Sequence, residues 1–371
     1  MALQARTITE AGLAALRGSQ DVLSIALDSY TPPPASGLRC SSPLAQSNKE
    51  TIIRYMESKP EDTVSAAALV TQNNANWGVA RLQGKLKDRV DNVDNAYTYN
   101  DTAAGTGVDI YAITNGIWEA NNDLHGRVRF GVNTYRDETI KKGIVLKGRS
   151  VPAGTRWGVA KKANIIKVIV FEDDPWGNRA GTAAHMISGF DWISKEVQAS
   201  KRPSVVQIPW VRGEGYRPSI PLDNAADALT EQGIHVVVAA GDDNEDLSCS
   251  CKSSPGRSPS VITVGATDIN DGRSTFSNYG PLIDFFAPGQ DVTVAGPRPY
   301  NGVPNATSLQ SSTSISSGIV AGMVAHLISR DGNISPAAMK AKLSDYSIKD
   351  IVTHLPEGYG TTKSLVQLGP V

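Results

Sequence analysis

From about residue 106 onward, short β-branched runs alternate with longer helical periods, and that alternation leaves few folds open to the chain. Asp109 to Ile113, Ile165 to Phe171, Val205 to Ile208, Ile234 to Ala240, Val261 to Gly265 and Ile283 to Ala287 are each bounded by turn residues and read as strands. Between and after them, Ala183 to Ala199, Leu222 to Gln232 and Ser316 to Ser329 carry helical spacing, the second ending at Gly233. Strands that are apolar throughout, joined by helices, predict an α/β fold: a mainly parallel twisted sheet with helices on both faces. In the last helix Ile319, Val320, Met323, Val324 and Leu327 share one side, while Gly318, Ala321 and Gly322 permit close approach, so it is expected to be buried. No internal repeat interrupts this pattern.

A chain of 371 residues with 40% hydrophobic content can bury a large core without disulfides or metals. Its 36 basic residues nearly balance 37 acidic ones, so no global field draws it to nucleic acid or to an anionic membrane. The three cysteines, Cys40, Cys249 and Cys251, make neither a disulfide framework nor a four-ligand zinc site, and no cofactor or metal is expected. No 18-residue apolar run spans a bilayer. The start as written lacks a charged, apolar and cleavable leader, which predicts a cytoplasmic protein, or a secreted one if the true start lies upstream.

Four zones are expected along the chain. Residues 1–30 form a small piece in which Thr7 to Tyr30 reads as an amphipathic helix and a short strand. Residues 31–70 are a linker, opening with the proline-rich TPPPASG from Thr31 and including one short helix at Lys49 to Ser58. Residues 71–345 carry the α/β domain, and 346–371 form a carboxy-terminal tail.

Four stretches, taken in order, carry a resemblance. They are TQNNANWGVARL (Thr71 to Leu82), GVAKKANIIKVIVF (Gly158 to Phe171), HVVVAAGDDNED (His235 to Asp246), and SPSVITVGATD with STFSNYGPLIDFFAPG (Ser258 to Gly289). Together they resemble the subtilase family of subtilisin-like serine peptidases, most closely its proteinase K branch. Ile8 to Tyr30 is more weakly similar to the closing half of a subtilase propeptide. The resemblance implies a subtilisin-like fold and directs attention to the residues that peptidase chemistry requires.

A serine hydroxyl is a weak nucleophile at neutral pH unless an imidazole takes its proton, an acid orients that imidazole and donors receive the oxyanion. The family's aspartate closes the first strand, and here IYAITNGI puts Thr114 in its place, followed by Asn115. Its Gly-His-Gly-Thr-His motif corresponds to KKGIVLKGRSVPAG, with Ile144 aligned to the histidine; none of the five histidines falls there. The oxyanion asparagine corresponds to Asp242, which exchanges a neutral donor for a carboxylate that would repel an oxyanion. Only the nucleophile has a counterpart, Ser314 in SSTSISSGIVAG, with Ser312 at the motif's glycine and Gly318 at its proline. The substrate-pairing strand corresponds to IPWVRGEGY (Ile208 to Tyr216), where Pro209 lacks an N–H and Trp210 is bulky, so strand addition is hindered; Arg212 completes the altered cleft.

Each of these residues has a plainer reading. Ser314 fits a helix cap, Thr114 and Ile144 fit packing, and Asn115 before Gly116 fits a turn. Asp242 is either a solvated or capping carboxylate among Asp243, Asn244, Glu245 and Asp246, or a cleft acid able to move protons. Trp210 either packs or lines a ligand pocket. His125 reads as structural, and Lys141, Lys142, Lys147 and Arg149 as a solvated face. The expected function is a pseudoprotease whose remodelled cleft binds a peptide or small-molecule ligand. A repurposed non-proteolytic enzyme of small-molecule biosynthesis and a residual endopeptidase are the alternatives.

Overall fold

In the computed structural model, residues 69–84, 95–124, 126–135, 154–173, 179–209, 218–248, 253–296 and 304–370 are described. The amino-terminal helix and strand, the proline-rich linker, the helix at 49–58, the three cysteines, His125, the basic cluster at 141–149, Ile144, Trp210 and Arg212 lie outside them.

The elements run β1 (Leu69–Asn73), α1 (Trp77–Ala80), β2 (Ala96–Asn100), β3 (Asp109–Thr114), β4 (Val128–Asn133), β5 (Asn164–Ile169), β6 (Glu172–Asp173) and β7 (Arg179–Ala180). They continue with α2 (Ala183–Ser200), β8 (Ser204–Ile208), α3 (Ile220–Glu231), β9 (His235–Ala239), β10 (Ile262–Thr267), β11 (Phe285–Pro288), β12 (Val292–Ala295), β13 (Thr307–Gln310), α4 (Thr313–Asp331) and α5 (Pro336–Tyr346). Seven strands form one parallel sheet in the order β11-β10-β9-β8-β3-β5-β4. Each strand anticipated from β-branched runs is present in that sheet, with ends shifted by one or two residues.

Alternation along these strands divides the interior into two layers. Ile110, Ala112, Val205 and Val237 face the side covered by α4, and Tyr111, Ile113, Val206 and Val236 face the side covered by α2 and α3. Because both sides are buried, every residue of β3, β8, β9, β10 and β11 is buried. The helix α4 is apolar around most of its circumference and packs against β3, β8, β9, β10 and β11, as its small-residue seam predicts.

Two parts of the sheet escaped the sequence reading. The edge strand β4 carries Gly131 at a register shift between Phe130 and Val132, which breaks the alternation by which a strand is recognised. A Cβ at Gly131 would stand 2.8 Å from the side chains of both Ile166 and Trp192, so the glycine answers a close approach. At the other edge, the segment set apart as a tail runs along β11: Phe286 N donates to Ser364 O at 2.9 Å and Val366 N donates to Phe286 O at 3.0 Å. It then reaches the start of the domain, with Leu368 N donating to Leu82 O at 2.8 Å. The helix α5, capped by Ser335 and opened by Pro336, was also missed, although serine followed by proline is a helix-start signal.

Candidate functional site

The chain builds β4 and β5 on one side of β3 and then crosses to begin β8 on the other, so the reversal falls between β3 and β8. In open α/β sheets, the crevice for a ligand lies at the carboxyl ends of the strands flanking such a reversal. Ala112 and Gln207 are paired in register, which sets Thr114 and Pro209 at the same level at that edge. The segment after β9 supplies Asp242 there, and α4 begins beside it with Ser312 as its cap.

Thr114 is buried, and its hydroxyl is spent locally, donating to Gly116 O at 2.8 Å and accepting from Gly116 N at 3.0 Å. Gly116 has φ 153°, a backbone angle that a side chain would disfavour, so the turn that closes on Thr114 needs its glycine. A hydroxyl so engaged holds no charge toward a neighbouring imidazole.

Asp242 is exposed. Its Oδ1 accepts from Thr313 N and from Thr313 Oγ1, both at 2.7 Å, and its Oδ2 accepts from Ser312 Oγ at 2.6 Å. The carboxylate therefore covers the amino terminus of α4, where free N–H groups and the helix dipole favour an anion. Replacing Asp242 by alanine is expected to lower stability by about 1 kcal/mol, the ordinary cost of a lost helix cap, read as a fall in Tm.

Ser314 lies within the first turn of α4, so it is not the cap that the plainer reading made it. That role belongs to Ser312, whose Oγ accepts from Ser314 N at 3.0 Å. Ser314 Oγ donates to the carbonyl oxygen of Pro209 at 2.5 Å and stands 2.9 Å from Ser312 Oγ. Neither neighbour is an imidazole. Of the described histidines, His185 caps α2 with Thr182, and His235 bonds Asn333. His326 sits three turns along α4, and His354 lies against Gly272.

Thus the edge brings together Ser314, Ser312, Thr313, Asp242 and Pro209, and Thr114 stands at the same sheet level. The parts sequence reasoning overlooked are Ser312 as the joint between Asp242 and Ser314, and the Pro209 carbonyl as the acceptor for the serine hydroxyl. The first had a visible signal, a hydroxyl residue at a motif's glycine. The second depends on a main-chain atom 105 residues away and has none.

Residues 139–361 match the Subtilase family. An alkaline serine protease of Corniculantispora psalliotae is 34% identical over 309 residues, covering 82% of this chain and 74% of the relative. A subtilisin-like serine protease of Penicillium rubens is 33% identical, covering 85% of this chain and 73% of the relative. Among solved structures, a cold-adapted subtilisin-like serine proteinase superposes with a TM-score of 0.67 at 29% identity, over 81% of this chain and all of that one.

Proposed function

Because the chain belongs to the subtilase family of subtilisin-like serine proteases, we propose that it is a member that no longer cleaves peptide bonds and uses its altered cleft to bind a peptide or a small molecule. One observation carries the proposal: the proton of Ser314 Oγ is directed at the Pro209 carbonyl oxygen at 2.5 Å. An amide carbonyl is far too weak a base to accept that proton, so the hydroxyl is held without being activated.

Two further features support the same reading. Thr114, aligned with the family's acid, closes its hydroxyl on Gly116, and Asp242, aligned with its oxyanion asparagine, holds a carboxylate, not a neutral donor, against Ser312 and Thr313 beside Ser314. Preorganised donors to the oxyanion contribute about 3–4 kcal/mol in working enzymes, and a carboxylate reverses the sign of the contribution. Triad residues act as a unit, so losing several costs little more than losing one and leaves at best a ~10³ to 10⁴-fold advantage over water. The three hydrogen bonds accepted by Asp242 favour a capping role over proton transfer in another reaction.

A serine-directed fluorophosphonate at high concentration is expected to leave Ser314 unlabelled, and casein to stay intact at enzyme-like protein concentrations. Labelling that disappears in Ser314→Ala would overturn the proposal. For the binding half, acylated tetrapeptides are expected to raise Tm as mass action requires without yielding product.

A further inference from the structure

Two histidines packed at the base of α4, the end away from Ser314, take no part in the cleft. His326, on α4, is 0% exposed, and among the described residues neither of its ring nitrogens has a hydrogen-bond partner. His235, the first residue of β9, is equally buried; its Nε2 lies 3.0 Å from Asn333 Oδ1, and its Nδ1 has no hydrogen-bond partner among the described residues. Asn333 belongs to the short connection between α4 and α5. Native interiors leave few polar atoms unsatisfied, and histidine is the side chain whose ordinary titration falls between pH 5 and 8. Three unpartnered imidazole nitrogens serving one helix end therefore call for an explanation.

We propose that His235 and His326 form an acid-released latch: as neutral rings they pack the base of α4, and their protonation opens the last turns of α4 and the connection to α5. Among the described residues no carboxylate is hydrogen-bonded to either ring, so a proton gained inside would meet no counter-charge in contact from them. The charges near His326 are Arg330 and Asp331 on its own helix, and Asp331 is already held by Arg330 and by Lys342 of α5. Tyr97 of β2 and Tyr346 of α5 are the other titratable groups facing Arg330. Around His235 the polar neighbours are the Asn333 side chain and the Ile334 main chain, both neutral. The region that would open also holds Pro370, whose carbonyl oxygen accepts from Arg330 Nη1.

Burial pushes the His326 imidazole down to about 4, with Arg330 acting in the same direction and Asp331 against it. Burial also lowers His235, partly offset by the neighbouring Asn333 side chain and Ile334 main chain. Both folded values thus lie below the ordinary value of about 6.5 that the unfolded chain keeps. Stability supplied by the neutral rings is complete above about pH 6.5 and is lost as pH falls toward the folded value. For His326 alone, linkage raises the unfolding equilibrium constant about 20-fold between pH 7 and pH 5.

Urea unfolding of the full chain at pH 7 and pH 5 tests this, with His326→Phe and His235→Gln beside the wild type. The unfolding constant of the wild type is expected to rise from pH 7 to pH 5 by clearly more than that of His326→Phe, the difference between the two approaching that 20-fold. The same pH dependence in all three proteins would overturn the latch. Should a variant fail to fold, the wild-type imidazole proton resonances decide: both rings neutral at pH 5 in the folded protein support the proposal, and titration near pH 6.5 removes it. Hydrogen exchange places the opening. Protection at pH 5 should fall more in residues 325–333 than in β8 and β10, and a uniform loss would refute a local release.

Discussion

Deleting residues 364–371 is expected to abolish cooperative folding, leaving a chain with no sharp urea or thermal transition. In sequence these residues look like a tail, yet Leu365, Val366 and Leu368 are each 0% exposed. Truncating a single buried leucine or valine commonly costs about 2–5 kcal/mol. Three such losses together reach the whole stability of an ordinary domain, about 5–15 kcal/mol. The deletion would also strip the edge of the main sheet, where Ser364 and Val366 hydrogen-bond Phe286 of β11 on its outer side. An apolar strand edge so uncovered is a template for pairing with other chains, so the truncated protein should aggregate as well as unfold. Leu365→Ala is the milder check, with an expected loss of about 2–4 kcal/mol. A truncated chain that kept a sharp transition near the wild-type Tm would show that the buried contacts contribute far less than their burial implies.

The contrast between that segment and the central strands explains what could be read in advance. Val205, Val206, Ile208, Val236, Val237 and Val238 are apolar because both sides of their strands are covered, and an uninterrupted β-branched run bounded by turns records that directly. The last residues, SLVQLG from Ser364, contain only three apolar side chains, and what buries them is the partner strand β11 and the start of the domain, neither of which is local. Gly131 hid β4 for a similar reason, since its value lies in the approach of Ile166 and Trp192 from other elements. At the cleft, motifs singled out Thr114, which closes β3, Asp242, which follows β9, and Ser314, in the first turn of α4. What those side chains do there did not follow. Asp242 is a cap because Ser312 and Thr313 meet it across 70 and 71 residues of chain, and Ser314 is tied down by a carbonyl whose identity no side-chain pattern reveals. Ile144, Trp210 and Arg212, the other residues that motif alignment singled out, lie outside the described residues.

Among the described residues, Asp271→Asn is expected to be the most damaging single charge removal, costing about 3–5 kcal/mol. Arg81 and Asp271 are separated by 190 residues and meet as a two-point pair, Nε to Oδ1 at 2.9 Å and Nη2 to Oδ2 at 3.2 Å. Arg81 is 2% exposed and Asp271 8%, so water cannot replace a missing partner. The remaining guanidinium nitrogen, Nη1, donates to Gly84 O, and the Arg81 carbonyl accepts from Gln367 Nε2 at 3.0 Å, so the pair sits where the first residues of the domain, its last residues and the turn after β10 are joined. Asn is the informative replacement because Asp271 has φ 64°, a left-handed angle that asparagine tolerates and alanine does not. The loss then reports the charge and not the backbone. Because the main cost is a stranded buried cation, Arg81→Met added to Asp271→Asn should recover part of it, giving a coupling energy of about 1–3 kcal/mol in a double-mutant cycle followed by urea denaturation. Strictly additive losses would mean that the two side chains stabilise the domain through separate contacts, and that this seam is held by its main-chain bonds alone.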